Sequence, residues 1–161
     1  MPLVKDIARE AAETVLREHW DGKYPVDPVR IANSLGMKVY LANLAENESG
    51  LIVKLPGQSA EIHINRTEPD ARQSFTCAHE LGHWIERGQQ QDNEYSFVDR
   101  RDSRAMDAHE WYAEHFAANL LMPARDFIEV YDEGYTDSTL AKYFGVSPAA
   151  ARSRMRNLGL G

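Results

Sequence analysis

Cysteine is almost absent from the sequence, in which Cys77 is the single example. One cysteine excludes an internal disulfide, and it excludes zinc sites built mainly from cysteine, such as zinc ribbons. The fold must therefore be held by core packing, and any metal must be bound by other residue types.

Long apolar runs are also missing. No run approaches the roughly 20 apolar residues that cross a bilayer. The N-terminal stretch from Met1 to Glu10 contains acidic residues and no apolar core of signal-peptide length. We therefore expect a cytoplasmic protein that makes no membrane contact.

Composition and charge narrow the class further. The 161 residues suit one domain, and 43% hydrophobic with 27% charged residues is typical of globular proteins, which excludes a disordered chain. We therefore expect a single domain over residues 1–161, with its oligomeric state left open. The net charge of −7 makes the chain as a whole a poor non-specific binder of nucleic acid.

Hydrophobic periodicity predicts two helices followed by three short strands in the first part of the chain. The helices are expected from about Val4 to Trp20 and from Pro28 to Leu35. The strands are expected at Lys38–Leu41, Leu51–Leu55 and Glu61–Asn65, the last two forming a hairpin.

The second part of the chain is predicted to be mainly helical. Two long helices are expected at about 68–87 and 105–122, joined by a polar loop over 88–104. This loop is long enough to cover a cleft, although a plain surface connection fits it equally well. A shorter helix to about 132 and a helix-turn-helix-like tail over about 137–159 follow.

The most informative segment is His79-Glu80-Leu81-Gly82-His83. On a helix, side chains four residues apart lie on one face, so His79 and His83 can bind the same metal ion and Glu80 can reach a water on it. Zinc accepts histidine and carboxylate ligands and lowers the pKa of a bound water towards about 7. The segment therefore predicts metal-assisted hydrolysis with Glu80 as general base, zinc being preferred over Mn²⁺ or Fe²⁺.

A third ligand must come from another element, and the best donor is the helix predicted at about 105–122. Glu110 and Glu114 lie four residues apart on it, so one can bind the metal while the other accepts a hydrogen bond from a ligating histidine. The predicted fold class is therefore α+β: a small antiparallel sheet packed on a helical zinc-binding core, with a helical C-terminal subregion.

The same histidine pattern also occurs by chance on exposed helices. In this chain Phe75, Ala78, Gly82 and Ile85 form an apolar stripe that would bury one side of the helix. Gly82 costs about 1 kcal/mol relative to Ala in mid-helix. We therefore favour a metal site over a chance match, and we expect close helix packing at Gly82.

Two stretches resemble the ImmA/IrrE family of zinc metallopeptidases: residues 74–83, SFTCAHELGH, and residues 110–123, EWYAEHFAANLLMP. Shorter matches extend the resemblance over nearly the whole chain from about Tyr24. The resemblance implies that His79, His83 and Glu110 hold zinc and that Glu80 is the catalytic base. It also implies a protein substrate, a helix-turn-helix repressor whose cleavage releases stress-response or mobile-element genes.

One position departs from the family pattern: Glu114 stands where the family usually has Asn or Asp. A glutamate can still accept a hydrogen bond from a ligand imidazole. Its longer carboxylate can also compete with Glu110 for the metal. Glu110 is the favoured ligand.

Two features bear on how a peptide would be bound and cleaved. The strand Glu61–Asn65 is predicted to be a sheet edge to which an extended peptide adds. Stabilisation of the oxyanion is expected from a tyrosine or histidine near the ligands, and the sequence offers four candidates: Tyr95, His109, Tyr112 and His115.

Two other functions stay open on the sequence alone. The chain could be a non-catalytic module whose metal is structural and which binds a repressor or antitoxin partner. It could also be a DNA-binding regulator, because Arg152, Arg154 and Arg156 lie on the last helix of the tail. The acidic body and the small number of phosphate contacts argue against DNA binding.

Overall fold

A computed structural model describes residues 3–89, 91, 93–100 and 107–161. Within them the chain forms helices and strands in this order: α1 Val4–His19, α2 Pro28–Ser34, β1 Lys38–Ala42, β2 Glu48–Lys54, β3 Glu61–Asn65, α3 Asp70–Gln89, β4 Tyr95–Arg100, α4 Ala108–Leu121, α5 Ala124–Asp132, α6 Asp137–Phe144 and α7 Pro148–Asn157. The predicted α+β class is confirmed. The predicted start of α4 at residue 105 lies outside the described residues.

The four strands form a mixed sheet in the order β1-β3-β2-β4. The predicted hairpin is confirmed, since β2 and β3 pair antiparallel. The prediction of a purely antiparallel sheet is wrong, because β1 and β3 pair in parallel, with Val39 opposite Ile62. The hairpin returns β3 between β1 and β2, and in this position β3 runs in the same direction as β1.

The strand β4 was not expected from the sequence, which predicts a loop over residues 88–104. Residues 95–100 instead pair antiparallel with β2 and occupy one edge of the sheet. The other edge is β1, so the prediction that β3 is an edge strand is also wrong. The β-prone run from Tyr95 to Val98 is short, does not alternate strictly and follows a polar stretch, so it gives only a weak strand signal. Residues 90, 92 and 101–104 of the predicted loop lie outside the described residues.

The helices α3 and α4 pack against each other, and α3 also lies on β2 and β3. Gly50 allows the second contact, because a Cβ at this position would lie 2.5 Å from Cγ2 of Thr76 on α3. The tail helices α6 and α7 are joined at Gly145, whose φ of 69° is the left-handed conformation that glycine adopts without strain. This helix pair was predicted from the sequence. None of the helices in the described residues is long and apolar enough to cross a membrane.

Gly82 lies where α3 packs tightly against α4, as its mid-helix position predicted. A Cβ there would lie 3.1 Å from Cα of Ala113 and 3.1 Å from Cβ of Phe116. We expect Gly82→Ala to lower the free energy of unfolding by about 1–2 kcal/mol, because overpacking outweighs the gain in helix propensity. Gly88→Ala is the matched control on the same helix, where nothing lies within 4 Å of an added Cβ. Urea unfolding should show opposite signs for the two variants; a stabilising Gly82→Ala would contradict the close packing.

Candidate metal centre

The helix α3 brings both histidines of the motif to one buried face. His79 and His83 are each 1% exposed, and their ring centroids lie 5.0 Å apart. Burial of two imidazoles requires polar partners, because an unpaired polar group in the interior is costly. The partners come from α4.

Glu110 is the side chain on α4 that meets both histidines. Asp107 caps the start of α4 by accepting a hydrogen bond from the backbone N–H of Glu110. The Nε2 of His79 donates to Oε2 of Glu110 at 3.0 Å, and Nε2 of His83 lies 3.2 Å from Oε1. These two contacts hold the pKa of Glu110 well below its ordinary value, although partial burial opposes them.

The three residues His79, His83 and Glu110 form a group that could hold a metal ion, with one ligand atom from each lying within 4.8 Å of the others. Two imidazole nitrogens and one carboxylate oxygen are the donor set of open zinc sites. Since these ligand atoms already lie close together, the residues fit a metal ion such as zinc.

Glu114 lies on the other side of His79. Its Oε1 is 3.1 Å from Nδ1 of His79, although the two atoms are not aligned as a hydrogen bond. The metal-binding group includes Glu110 and not Glu114. Glu114 is therefore placed to orient the His79 ring from behind. Burial alone would lower the pKa of His79, but the carboxylates of Glu110 and Glu114 outweigh it and raise this pKa well above its ordinary value.

Glu80 is fully buried beside this group. Neither of its carboxylate oxygens has a hydrogen-bond partner among the described residues. Burial raises the pKa of Glu80 to about 8, while the neighbouring His79 opposes the increase. A buried carboxylate with both oxygens unpaired requires a polar partner. A metal with its water, next to the histidines, would supply that partner.

The strand β4 contributes two side chains to the site that sequence reasoning missed. The ring of Phe97 stacks on His83 with centroids 4.4 Å apart, and an oxygen of Asp99 lies within 4.8 Å of ligand atoms of His79 and Glu80. Arg72 of α3 lies 3.9 Å from Asp99. Two aromatic residues at strand spacing, Tyr95 and Phe97, were a weak signal of this strand face in the sequence, and no pattern marked Asp99.

The four oxyanion candidates occupy different places. His109 lies 2.8 Å from Glu86, which is on α3, and His115 stacks on Trp111 with centroids 5.8 Å apart. Burial raises the pKa of Tyr112 to about 12 and lowers the pKa of His115. Tyr95 is in ring contact with Phe97 at 5.9 Å, and Phe97 stacks on His83. Tyr95 is therefore linked to the histidine pair by ring contacts, and the role of all four residues stays a prediction.

The shifted pKa values give the metal-free protein a pH-dependent stability. The pKa of Glu80 is 4.5 in the unfolded chain and about 8 in the folded protein. Between these two pH values the folded protein keeps a proton that the unfolded chain has released, so the free energy of unfolding falls as pH rises. The raised pKa of His79 acts in the same direction, because the stabilisation present below 6.5 is lost as pH rises through the folded value. We expect urea unfolding with chelator to show a loss of more than about 1 kcal/mol between about pH 6 and about pH 8.

Zinc should reverse this trend, since the metal replaces protons on its ligands and binds more tightly as pH rises. The variant Glu80→Gln, unfolded under the same metal-free conditions, should show a smaller pH dependence. A metal-free stability that rises over this range would contradict the buried, raised-pKa state of Glu80.

Comparison with known proteins adds a family and a fold. The family model Peptidase_M78, described as the IrrE N-terminal-like domain, matches residues 32–156. No curated protein sequence matches the chain. Among solved structures, a Mycobacterium tuberculosis transcriptional regulator is similar, with a TM-score of 0.64 and 16% sequence identity. The similarity covers 96% of this chain and 52% of that protein, so this chain spans about half of its length and the likeness is one of fold.

Proposed function

Because the chain belongs to the Peptidase_M78 family of IrrE N-terminal-like domains, we propose that it is a zinc-dependent, site-specific endopeptidase acting on a cytoplasmic protein. The observation that carries the proposal is the fully buried Glu80, with both oxygens unpaired, beside the group of His79, His83 and Glu110. A purely structural metal site has no need of an unpaired buried carboxylate next to its ligands.

His79, His83 and Glu110 would hold the zinc ion. When bound, zinc polarises the scissile carbonyl and makes a water nucleophilic near neutral pH. Glu114 keeps the ring of His79 in place from its Nδ1 side, and Phe97 supports the ring of His83 by stacking on it. These supports hold the ligands in one arrangement.

Glu80 is the general base. One of its carboxylate oxygens accepts a proton from the attacking water, and the same group then donates a proton to the nitrogen of the leaving amine. A base works best when its pKa is near the operating pH, and burial raises the pKa of Glu80 to about 8 in the metal-free protein, which leaves the positive charge of a bound metal to lower it. Burial of Glu80 also excludes bulk water from the proton that it carries.

The peptide substrate is proposed to bind along β4. This strand lies at the edge of the sheet, and among the described residues only β2 pairs with it. Its inner face carries Phe97 and Asp99 against α3, beside the histidines. An extended peptide added to this edge would pass next to the metal group. In this proposal β4 takes the peptide-binding role that the sequence suggested for β3.

The proposed substrate is a helix-turn-helix repressor, whose cleavage would release stress-response or mobile-element genes. This part rests on the family resemblance, and the fold shared with a transcriptional regulator agrees with a place in transcription control. The test is incubation of the zinc-loaded protein with candidate repressors, followed by mass spectrometry of the fragments. One defined cut that chelator abolishes supports the proposal; intact repressors throughout would support the non-catalytic binding module.

The alternative of DNA binding through the tail loses support from the side chains of α7. Arg154 is 5% exposed and donates to Asn119 and to the backbone of Met122. Arg152 pairs with Asp137 at 2.9 Å. Of the three arginines, only Arg156 is exposed without an acidic partner among the described residues, which is too few for a DNA-binding surface.

A further inference from the structure

A cavity of about 490 Å³ lies between the N-terminal part of α3, the helix α4 and the tail helix α7. Its size is in the range of small-molecule sites. Apolar side chains from all three helices line it, including Phe75 of α3, Trp111 of α4 and Ala150 of α7, together with Met122 directly after α4. The walls therefore suit an apolar group about the size of an aromatic side chain.

Arg154 lines this cavity and carries a buried positive charge. Its Nε donates to the carbonyl of Met122 at 3.0 Å, and its Nη2 donates to Oδ1 of Asn119 at 2.9 Å. Both acceptors are neutral, and no carboxylate of the described residues forms an ion pair with Arg154, whereas the exposed Arg152 has Asp137. Buried charges are normally paired. The guanidinium lies at the C-terminal end of α4, whose partial negative charge favours a cation, and it has no carboxylate partner among the described residues.

Burial lowers the pKa of Arg154 to about 10. Because this value is still well above 7, the guanidinium stays protonated at neutral pH. The hydrogen bonds engage Nε and Nη2, while no described residue accepts a hydrogen bond from Nη1. A ligand in the cavity could accept from this nitrogen without displacing Asn119 or the carbonyl of Met122.

The N-terminus of α7 adds to the positive character of this cavity. Ser147, Ala149 and Ala150 line it, and Ser147 caps the helix by accepting from the N–H of Ala150. The first turn of a helix carries partial positive charge and favours anions. Arg72 also lines the cavity, but its guanidinium lies toward Ser49 and Asp99. Glu114 is the carboxylate in the lining, and it contacts His79.

We propose that this cavity binds an organic carboxylate, with the carboxylate paired to Arg154, which lies in the last turn of α7, and the apolar part packed on Phe75 and Trp111. The same chemistry is offered by a free aromatic or branched acid and by the terminal carboxylate of a peptide. The cavity borders the metal group through Glu114, but Arg154 is not part of that group, and the proposal does not depend on peptidase activity.

The test compares acid and amide forms of two probes on the zinc-loaded full chain by isothermal titration calorimetry. The probes are N-acetylphenylalanine with its amide, and a short peptide ending in phenylalanine with its C-terminal amide. We expect the acid to bind at least about tenfold more tightly than the amide, because only the acid pairs with the guanidinium. If N-acetylphenylalanine binds as tightly as the peptide acid, the cavity is a small-molecule site. If only the peptide binds more tightly as acid than as amide, the cavity binds a peptide terminus.

Two variants locate the preference. Arg154→Met should remove it, whereas Arg156→Met, an exposed arginine on the same helix, should retain it. If Arg154→Met shows no cooperative thermal transition, Ala149→Trp decides, because Ala149 is an exposed lining residue whose replacement fills the cavity and leaves Arg154 in place. Loss of acid binding in a folded Ala149→Trp supports the site. Equal binding of acid and amide, or a preference that survives both variants, would overturn the proposal.

Discussion

Replacement of Glu80 by Gln is expected to lower the rate of repressor cleavage by roughly 100- to 10,000-fold, the contribution typical of a general base. The amide has nearly the same shape as the carboxylate, but it cannot accept the proton of the attacking water. His79, His83 and Glu110 are unchanged, so zinc content should stay at the wild-type value. Cleavage rates and elemental analysis of the same preparations provide the measurement.

Glu129→Gln is the control for this substitution, because it makes the same chemical change away from the site. Glu129 is exposed on α5, outside the metal-binding group. The control should cleave at nearly the wild-type rate. If Glu80→Gln cleaves as fast as Glu129→Gln, Glu80 is not the base. If neither the wild type nor the variants cleave any repressor while all bind one, the non-catalytic module becomes the better account.

Replacement of Glu110 by Gln is expected to have the largest effect on metal binding. The substitution removes the negative ligand that lies 3.0 Å from Nε2 of His79 and 3.2 Å from Nε2 of His83. Glu114→Gln keeps this ligand and removes only the carboxylate beside Nδ1 of His79. Replacing a residue that orients a metal ligand lowers metal affinity by about 10- to 100-fold. We therefore expect a loss of zinc affinity in that range for Glu114→Gln and a larger loss for Glu110→Gln.

Competition titrations with a zinc-binding dye measure both affinities under one condition. The two variants have the same change in charge on the same helix, four residues apart, so a general electrostatic effect would act on them alike. A larger loss of zinc affinity in Glu114→Gln than in Glu110→Gln would show that the longer side chain at this departure from the family pattern has taken over as ligand.

The residues that the two helices contribute to the site were predictable from their four-residue spacing alone. Two histidines four residues apart must share a face of α3, and Glu110 and Glu114 must share a face of α4. Which glutamate faces Nε2 of His79 could not be read from spacing, since it depends on how α3 and α4 are rotated against each other. Gly82 indicated that these helices come close without giving their rotation.

The contribution of β4 was not predictable in the same way. A short edge strand gains its stability from pairing with β2, and this pairing joins residues far apart in the sequence. Phe97 and Asp99 therefore lie at the site although no sequence motif predicted them there. The parallel pairing of β1 and β3 was missed for a similar reason, because it depends on where the hairpin docks.

Arg154 shows the limit of reading charge from sequence. Together with Arg152 and Arg156 it forms a basic cluster in the tail, which on its own suggested phosphate contacts. In the fold Arg154 is buried, and it joins α7 to the end of α4 through Met122 and Asn119. Burial depends on how helices and strands pack together, and the number of charged residues in a segment does not predict this packing.

The proposed function requires that His79, His83 and Glu110 hold a metal ion. Elemental analysis of the gently purified protein beside its His79→Ala variant measures this directly. We expect about one zinc per chain in the wild type, as for a single three-ligand site, and loss of that zinc in the variant. A wild-type protein that contains no metal and takes up none when zinc is supplied, or a variant that retains the zinc, would contradict it.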